Sequence, residues 1–153
     1  MHLLALRPIF LALAVAVSTT VGMAQTPATS KPKLGSMVFD WAKIEPTTTP
    51  TGERRAIVNA PTATMANFSC HVTTLNAHQA PHPAHRHPDE EIIIVKEGTI
   101  EVMINEERQR AGAGSMFFFA SNDLHGMRNV GDTRATYYVI RVITPDTPKP
   151  AGK

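Results

Sequence analysis

The 153-residue chain has one cysteine, Cys70, so no internal disulfide can staple the fold even in an oxidising compartment. Stability must come from a packed core or from something bound. Aromatic residues make up 6% of the chain, and its 15 Lys and Arg are interspersed with 13 Asp and Glu. With no basic block, there is no electrostatic footprint for nucleic acid, and no nucleic-acid partner is expected. No apolar run reaches the roughly 20 residues that cross a bilayer. Sustained apolar spacing of three and four is also missing, so no helix longer than a turn or two is expected. Cys70 itself lies in "NFSCHVTTL", where alternation puts Phe68, Cys70 and Val72 on one face. It reads as a small core residue rather than a reactive thiol.

What is present begins with a leader. "MHLLALRPIFLALAVAVSTTVGMAQTPA" carries one basic residue, Arg7, an apolar run from Ile9 to Val17 and small residues up to Ala24. Residues 1–24 read as a cleaved export signal, with Gly22 and Ala24 at the small-residue positions of a cut before Gln25. An uncleaved amphipathic anchor is the alternative, but the run has no charged face. No cysteine follows for a lipid anchor, and no twin-arginine pair precedes it, so export in the unfolded state is expected. The mature protein is then periplasmic or secreted and does not span the membrane. About 130 residues remain, enough for a single domain. Residues 25–34, "QTPATSKPKL", have the composition of a flexible linker, and 144–153, "TPDTPKPAGK", that of a disordered tail.

Between them, at 35–143, short β-branched and aromatic runs recur between Gly, Pro, Asn and Asp. Strands are expected at 36–41, 55–58, 63–74, 91–96, 98–104, 107–111, 115–120, 125–129 and 136–143, with Asn105 and Glu106 at a turn tip. "TPTGERR" and "NAPTA" read as loops, and "DWAKI" leaves room for a little helix. Many short strands with close turns predict an all-β sandwich or barrel.

The chemistry gathers in "PHPAHRHPDEEIIIVKEG", Pro81 to Gly98. His85 and His87 are two apart, a spacing that points both side chains to one face of an extended segment, while the prolines exclude a helix. Two imidazoles on one face are half a site for a divalent metal. Glu91 has the same parity, although Pro88 intervenes. Of the other histidines past the leader, His71, His78, His82 and His125, the last has the most suggestive setting, "GSMFFFASNDLHGMRN".

These stretches resemble the two motifs of the cupin superfamily. "HRHPDEEIIIVKEG" is similar to the first, His-x-His, three residues, Glu, six residues, Gly, at His85, His87, Glu91 and Gly98. "GSMFFFASNDLHGMRN" resembles the second at Gly114, His125 and Asn129, with Ala120 where the family has proline and Asn122 where it has glycine. Asparagine tolerates a left-handed turn position, so the turn is retained. The resemblance implies an antiparallel double-sheet jelly-roll barrel with little helix, one domain over 35–143. It also implies one divalent transition metal (Mn, Fe, Co, Ni, Cu or Zn) held by His85, His87, Glu91 and His125. A metal-free barrel in which these residues are polar lining is the alternative. His82 reads as a surface-loop residue, His71 and His78 have weaker claims to the site, and Glu90 should point to solvent.

Alternation carries Ile93 and Val95 inward after Glu91, and Met127 after His125, so the pocket wall should be largely apolar. Phe118 should face away from Phe117 and Phe119. Arg54 and Arg55 either meet a substrate carboxylate or sit in an exposed charged turn. An open metal position beside an apolar wall suits a metal-dependent enzyme acting on a small molecule, of dioxygenase, isomerase or hydrolase type, with Glu91 as catalytic base. A non-catalytic small-ligand-binding module is the competing class. A homodimer is also expected, because cupin barrels pair through exposed sheet edges and "SMVFDW" is apolar with little to cover it.

Overall fold

The computed structural model describes residues 31–149. The expected signal, residues 25–30 of the linker and 150–153 of the tail lie outside the described residues. Among those described, the strands are β1 (Thr47–Thr49), β2 (Gly52–Ala60), β3 (Asn67–Leu75), β4 (Glu90–Glu97), β5 (Thr99–Ile104), β6 (Glu107–Gly112), β7 (Met116–Phe119), β8 (His125–Asn129) and β9 (Ala135–Ile143). All pair antiparallel, in a six-stranded sheet of order β1-β2-β3-β9-β4-β7 and a three-stranded sheet of order β6-β5-β8. The all-β, two-sheet architecture expected from the sequence is the one observed. No described helix is long and apolar enough to cross a membrane.

The core lies between the sheets, and the period of two decides who enters it. On β4, Ile93 and Val95 are fully buried while Glu90 and Ile94 face out; on β7, Phe117 and Phe119 are buried while Phe118 is 51% exposed. Ile100 and Val102 from β5 and Tyr137 and Val139 from β9 close the cluster. Each such side chain contributes about 1.5–3 kcal/mol by leaving water. Gly98 joins β4 to β5 with φ +83°, and a Cβ there would lie 2.6 Å from Cβ of Ala135, so only glycine fits this crossing. The β5–β6 hairpin turns on Asn105 and Glu106, both at positive φ (47° and 79°), as a type I′ turn requires. Asn122 takes the left-handed conformation at φ 63° where the second motif has glycine.

Several boundaries differ from expectation. Residues 36–41 form no strand. Met37, Val38 and Phe39 are consecutive rather than alternating, so a period of two gives them no single face to bury, and all three are exposed. Instead Asp40 caps a 3-10 turn at Trp41–Lys43, its carboxylate accepting from the Ala42 amide at 3.1 Å. Trp41 then lies under two cations, Arg55 at 4.7 Å and Lys96 at 4.6 Å from its ring centre. "TPTGERR" is a hairpin, not a loop, with Pro50 and Thr51 turning between β1 and β2; its polar residues belong to an edge pair, which hides them from a hydrophobic-pattern reading. β2 accordingly continues to Ala60, through the first half of "NAPTA". The third strand starts at Asn67, because the Thr62 hydroxyl accepts from the amides of Thr64 and Met65 and curls 62–65 into a turn. Cys70 is half-buried.

Candidate metal centre and its cavity

His85 and His125 are brought together by the backbone. The amide of each donates to the carbonyl of the other at 3.0 Å, a single antiparallel bridge outside the regular ladders. The segment around His85 is not a regular strand, since Pro81, Pro83 and Pro88 interrupt the ladder; this one bridge does the aligning instead. The two motif loops are further tied where the Asn122 amide donates to the His87 carbonyl (2.8 Å), the Ser121 hydroxyl to the Pro88 carbonyl (2.6 Å) and Arg86 to the Asn122 carbonyl (2.6 Å).

Three histidines converge as a result. Ligand atoms of His85, His87 and His125 all lie within 4.8 Å of one another. The His87 Nδ1–H donates to the Asp89 carbonyl (2.8 Å) and the His125 Nδ1–H to the Asp123 carbonyl (2.9 Å), which leaves each Nε2 a bare lone pair. Phe119 stacks on His125, ring centres 4.3 Å apart, and fixes its plane. Nε2 of His87, Nε2 of His125 and Nδ1 of His85 are buried without a hydrogen-bond partner. Buried polar atoms are nearly always satisfied. Three orphaned nitrogens meeting at one point therefore fit a cation that accepts their lone pairs. This three-histidine cluster is consistent with a metal site.

Glu91 is outside that mutual cluster but lies against it, Oε2 3.3 Å from Nε2 of His87. Behind them stands a pair that the sequence reading did not single out. Asp89 is 3% exposed and receives two hydrogen bonds from Arg141, at 2.5 and 2.7 Å; Nε of Arg141 is also 3.7 Å from Glu91. The guanidinium therefore holds both carboxylates of the "DEE" run whose side chains turn inward, while Glu90 points to solvent as expected. The available signal was Arg141 itself, a single charge in the otherwise apolar strand "ATYYVIRVI".

The cluster opens onto a cavity of about 290 Å³. Its apolar wall includes Ile93, Met127 and Val139, whereas Val95, one pleat further on, belongs to the closed core. Tyr137 also reaches this cavity from the core, and burial, with the charge of Glu91, pushes its hydroxyl above the ordinary range. Among the residues weighed only lightly, His82 is exposed yet lines the mouth, its ring 4.4 Å from that of His85. His71 lines the cavity from β3, and Arg54 from β2. Arg55 faces elsewhere and donates to the Ile44 carbonyl. His78 takes no part and pairs with Asp132 at the surface, 3.2 Å away.

Burial, followed by the nearby His82, His125, His87 and Arg141, holds His85 down at about 4. Burial also lowers His125, against the opposing pull of the Asp123 carbonyl and of Glu91. His71 is held at about 4 by burial, then by Arg54 and Arg141. These imidazoles are neutral at pH 7, the state a metal requires. An imidazole in the unfolded chain titrates near 6.5. Between pH 6.5 and 4 the unfolded state therefore binds more protons, and stability falls as pH falls. We expect the melting temperature of metal-free protein to drop by about 5–10 °C between pH 7 and pH 4.5, followed by circular dichroism. A flat profile would contradict the burial of these rings. Burial alone would raise Asp89, but the paired bonds and charge of Arg141 outweigh it and hold the carboxyl below its ordinary 3.8, so its contribution is lost only at still lower pH.

Two small antiparallel sheets enclosing a histidine cluster at the mouth of a cavity define a small β-barrel with a candidate metal centre. Residues 71–141 match the cupin domain, and the chain has the fold of the small cupin barrels. An RmlC-like cupin from Shewanella frigidimarina superposes with a TM-score of 0.59 at 16% identity, over 72% of this chain and 95% of that one. A predicted oxalate decarboxylase from Thermotoga maritima gives 0.58 at 16% identity, over 70% and 99%. A sugar phosphate isomerase of the cupin superfamily from Silicibacter pomeroyi gives 0.55 at 19% identity, over 71% and 77%. At these identities the likeness concerns the fold. No curated protein matches the chain in sequence.

Proposed function

We propose that the protein is an exported, metal-dependent enzyme acting on a small molecule. One observation carries this reading: three orphaned, buried imidazole nitrogens meet at one end of an open cavity rather than inside a closed core. Glu91, beside His87, joins His85, His87 and His125 as the fourth ligand. A divalent ion held there supplies Lewis acidity towards a substrate oxygen, and a redox-active one also supplies electron transfer. The chain does the rest. The Asp89 and Asp123 carbonyls present His87 and His125 in the correct tautomer, Ile93 and Val139 exclude water, and Glu91, which lines the cavity, would act as base towards the substrate when it is not engaged as a ligand. The cupin neighbours include proteins described as a decarboxylase and an isomerase, which fits a site of this kind without choosing the reaction.

The test loads the protein separately with Fe(II), Mn(II), Ni(II) and Zn(II) and offers flavonoids, catechols, dicarbonyls and keto sugars, following oxygen uptake and product mass. Turnover with one metal, abolished by Glu91→Gln, supports the enzyme. Tight ligand binding without turnover under every metal favours a binding module instead. Export is read separately, by finding mature protein outside the cytoplasm with Gln25 at its N-terminus; retention there with residues 1–24 intact rejects it.

A homodimer is part of the same reading. Met37, Val38, Met116 and Phe118 are 62%, 89%, 65% and 51% exposed, and Ile94 beside Met116 and Phe118 is 37% exposed. Ile94, Met116 and Phe118, which the paired strands β4 and β7 present outward, suit a second copy, as do Met37 and Val38 in the irregular segment before β1. Light scattering should give twice the monomer mass at micromolar concentration, and Phe118→Lys should return it to the monomer. A wild-type monomer mass ends the proposal.

A further inference from the structure

We propose that the cavity takes a small carboxylate, with Arg54 gripping the carboxylate at the side furthest from Glu91 across the sheet. This deepens the substrate-pocket reading above and rests on it. Among the described arginines, Arg55, Arg86 and Arg128 donate to the backbone carbonyls of Ile44, Asn122 and His78. Arg108 and Arg110 pair with Glu101, Arg134 with Glu53 and Arg141 with Asp89. Arg54 alone among them has neither an ion pair nor a side-chain hydrogen bond, and it is a lining residue of the cavity.

The surroundings match an anion there. Arg54 is opposite Thr73 on β3, one strand over, and Thr73 and His71 line the same cavity wall. They offer a hydroxyl and an imidazole beside the guanidinium and no competing carboxylate. The second cavity cation, Arg141, is already saturated by Asp89, so the uncompensated charge belongs to Arg54. β3 and β9 separate β2 from β4, which carries Glu91. Three strand spacings are about 14 Å between backbones, and the register Arg54–Thr73–Tyr137–Val95 also sets Arg54 four residues, about 13 Å, along the sheet from Glu91, so the two side chains span part of the distance and an elongated ligand the rest. A ligand held at both ends would present an oxygen to the histidine cluster and its carboxylate to Arg54, with the apolar wall of Ile93 and Val139 between. A guanidinium binds a carboxylate through two parallel N–H donors, which an ester cannot replace.

The experiment uses acetate, succinate and benzoate as probes, each beside its methyl ester, titrated into the full mature protein, metal-free and Zn(II)-loaded. Binding is read by calorimetry and by the NMR resonances of the Arg54 Nε–H. At least one acid should bind wild type and its ester about tenfold more weakly. Arg54→Gln should lose about tenfold in affinity for that acid, Arg54→Lys should retain part of it, and Arg55→Gln should match wild type. Unchanged melting of these variants shows that the fold is intact. The proposal is overturned if no acid binds, if esters bind as tightly, if Arg54→Gln binds as wild type does, or if Arg55→Gln loses as much. Arg54-dependent binding that persists in a protein unable to take up Zn(II) sinks the metal reading and leaves this one standing.

Discussion

His125→Gln is expected to abolish stoichiometric uptake of divalent metal, and His87→Gln to do the same. Both rings expose a buried, unpartnered Nε2 to the common point, and their Nδ1 protons are already committed to backbone carbonyls. No second lone pair on either ring can take over. Wild-type protein with metal at a hundredfold over its dissociation constant should gain about 2.7 kcal/mol, an increase in melting temperature of about 10 °C. The variants should show no such gain. Their metal-free melting temperatures separate lost ligation from lost packing, since His125 also stacks on Phe119. Glu91→Gln should weaken the metal by about 10- to 100-fold rather than abolish it, because Glu91 lies outside the mutual three-histidine cluster. Full uptake by His87→Gln and His125→Gln, measured by elemental analysis, would place the metal elsewhere.

Arg141→Leu is expected to be the most destabilising single change near the site. It leaves Asp89, 3% exposed and doubly bonded to that guanidinium, as a buried carboxylate without a counter-ion. Breaking a fully buried pair costs about 3–5 kcal/mol. The Arg141 side chain is 38% exposed, so water reaches part of the pair, and about 2–3 kcal/mol is the better expectation. For a domain of this size that is a fall of about 10 °C in melting temperature. Replacing both partners, Asp89→Leu with Arg141→Leu, should recover much of the loss, since no charge is then left buried. Metal affinity should nevertheless stay reduced in the double variant, because Glu91 loses the guanidinium 3.7 Å away that holds its carboxylate. A single variant that melts like wild type would show that the pair contributes nothing.

The part of the fold legible in the sequence was the part governed by alternation. The inward set Ile93, Val95, Phe117 and Phe119, the outward Phe118 and Glu90, and the hairpin tip at Asn105 and Glu106 all follow from a period of two and from turn chemistry. Elements defined by their partners were not legible. β1 is three threonines with no hydrophobic signature and exists because β2 pairs with it, while "SMVFDW" has strand composition and pairs with no strand. Local composition cannot report which edge is free.

The site divides along the same line. By itself the sequence determined that His85 and His87, two residues apart in a proline-broken extended segment, present imidazoles together, and that His125 opens a strand behind a buried run; those are properties of neighbours along the chain. Only the tertiary structure decided which nitrogen of each ring is free, because the carbonyls that take the Nδ1 protons of His87 and His125 are set by loop conformation. It alone decided that Arg141 reaches Asp89 across 52 residues and that Arg54 is left without a partner beside the cavity. The reason is physical: a lone pair or a guanidinium is satisfied by whatever the fold places within hydrogen-bond reach, and sequence distance carries no information about that.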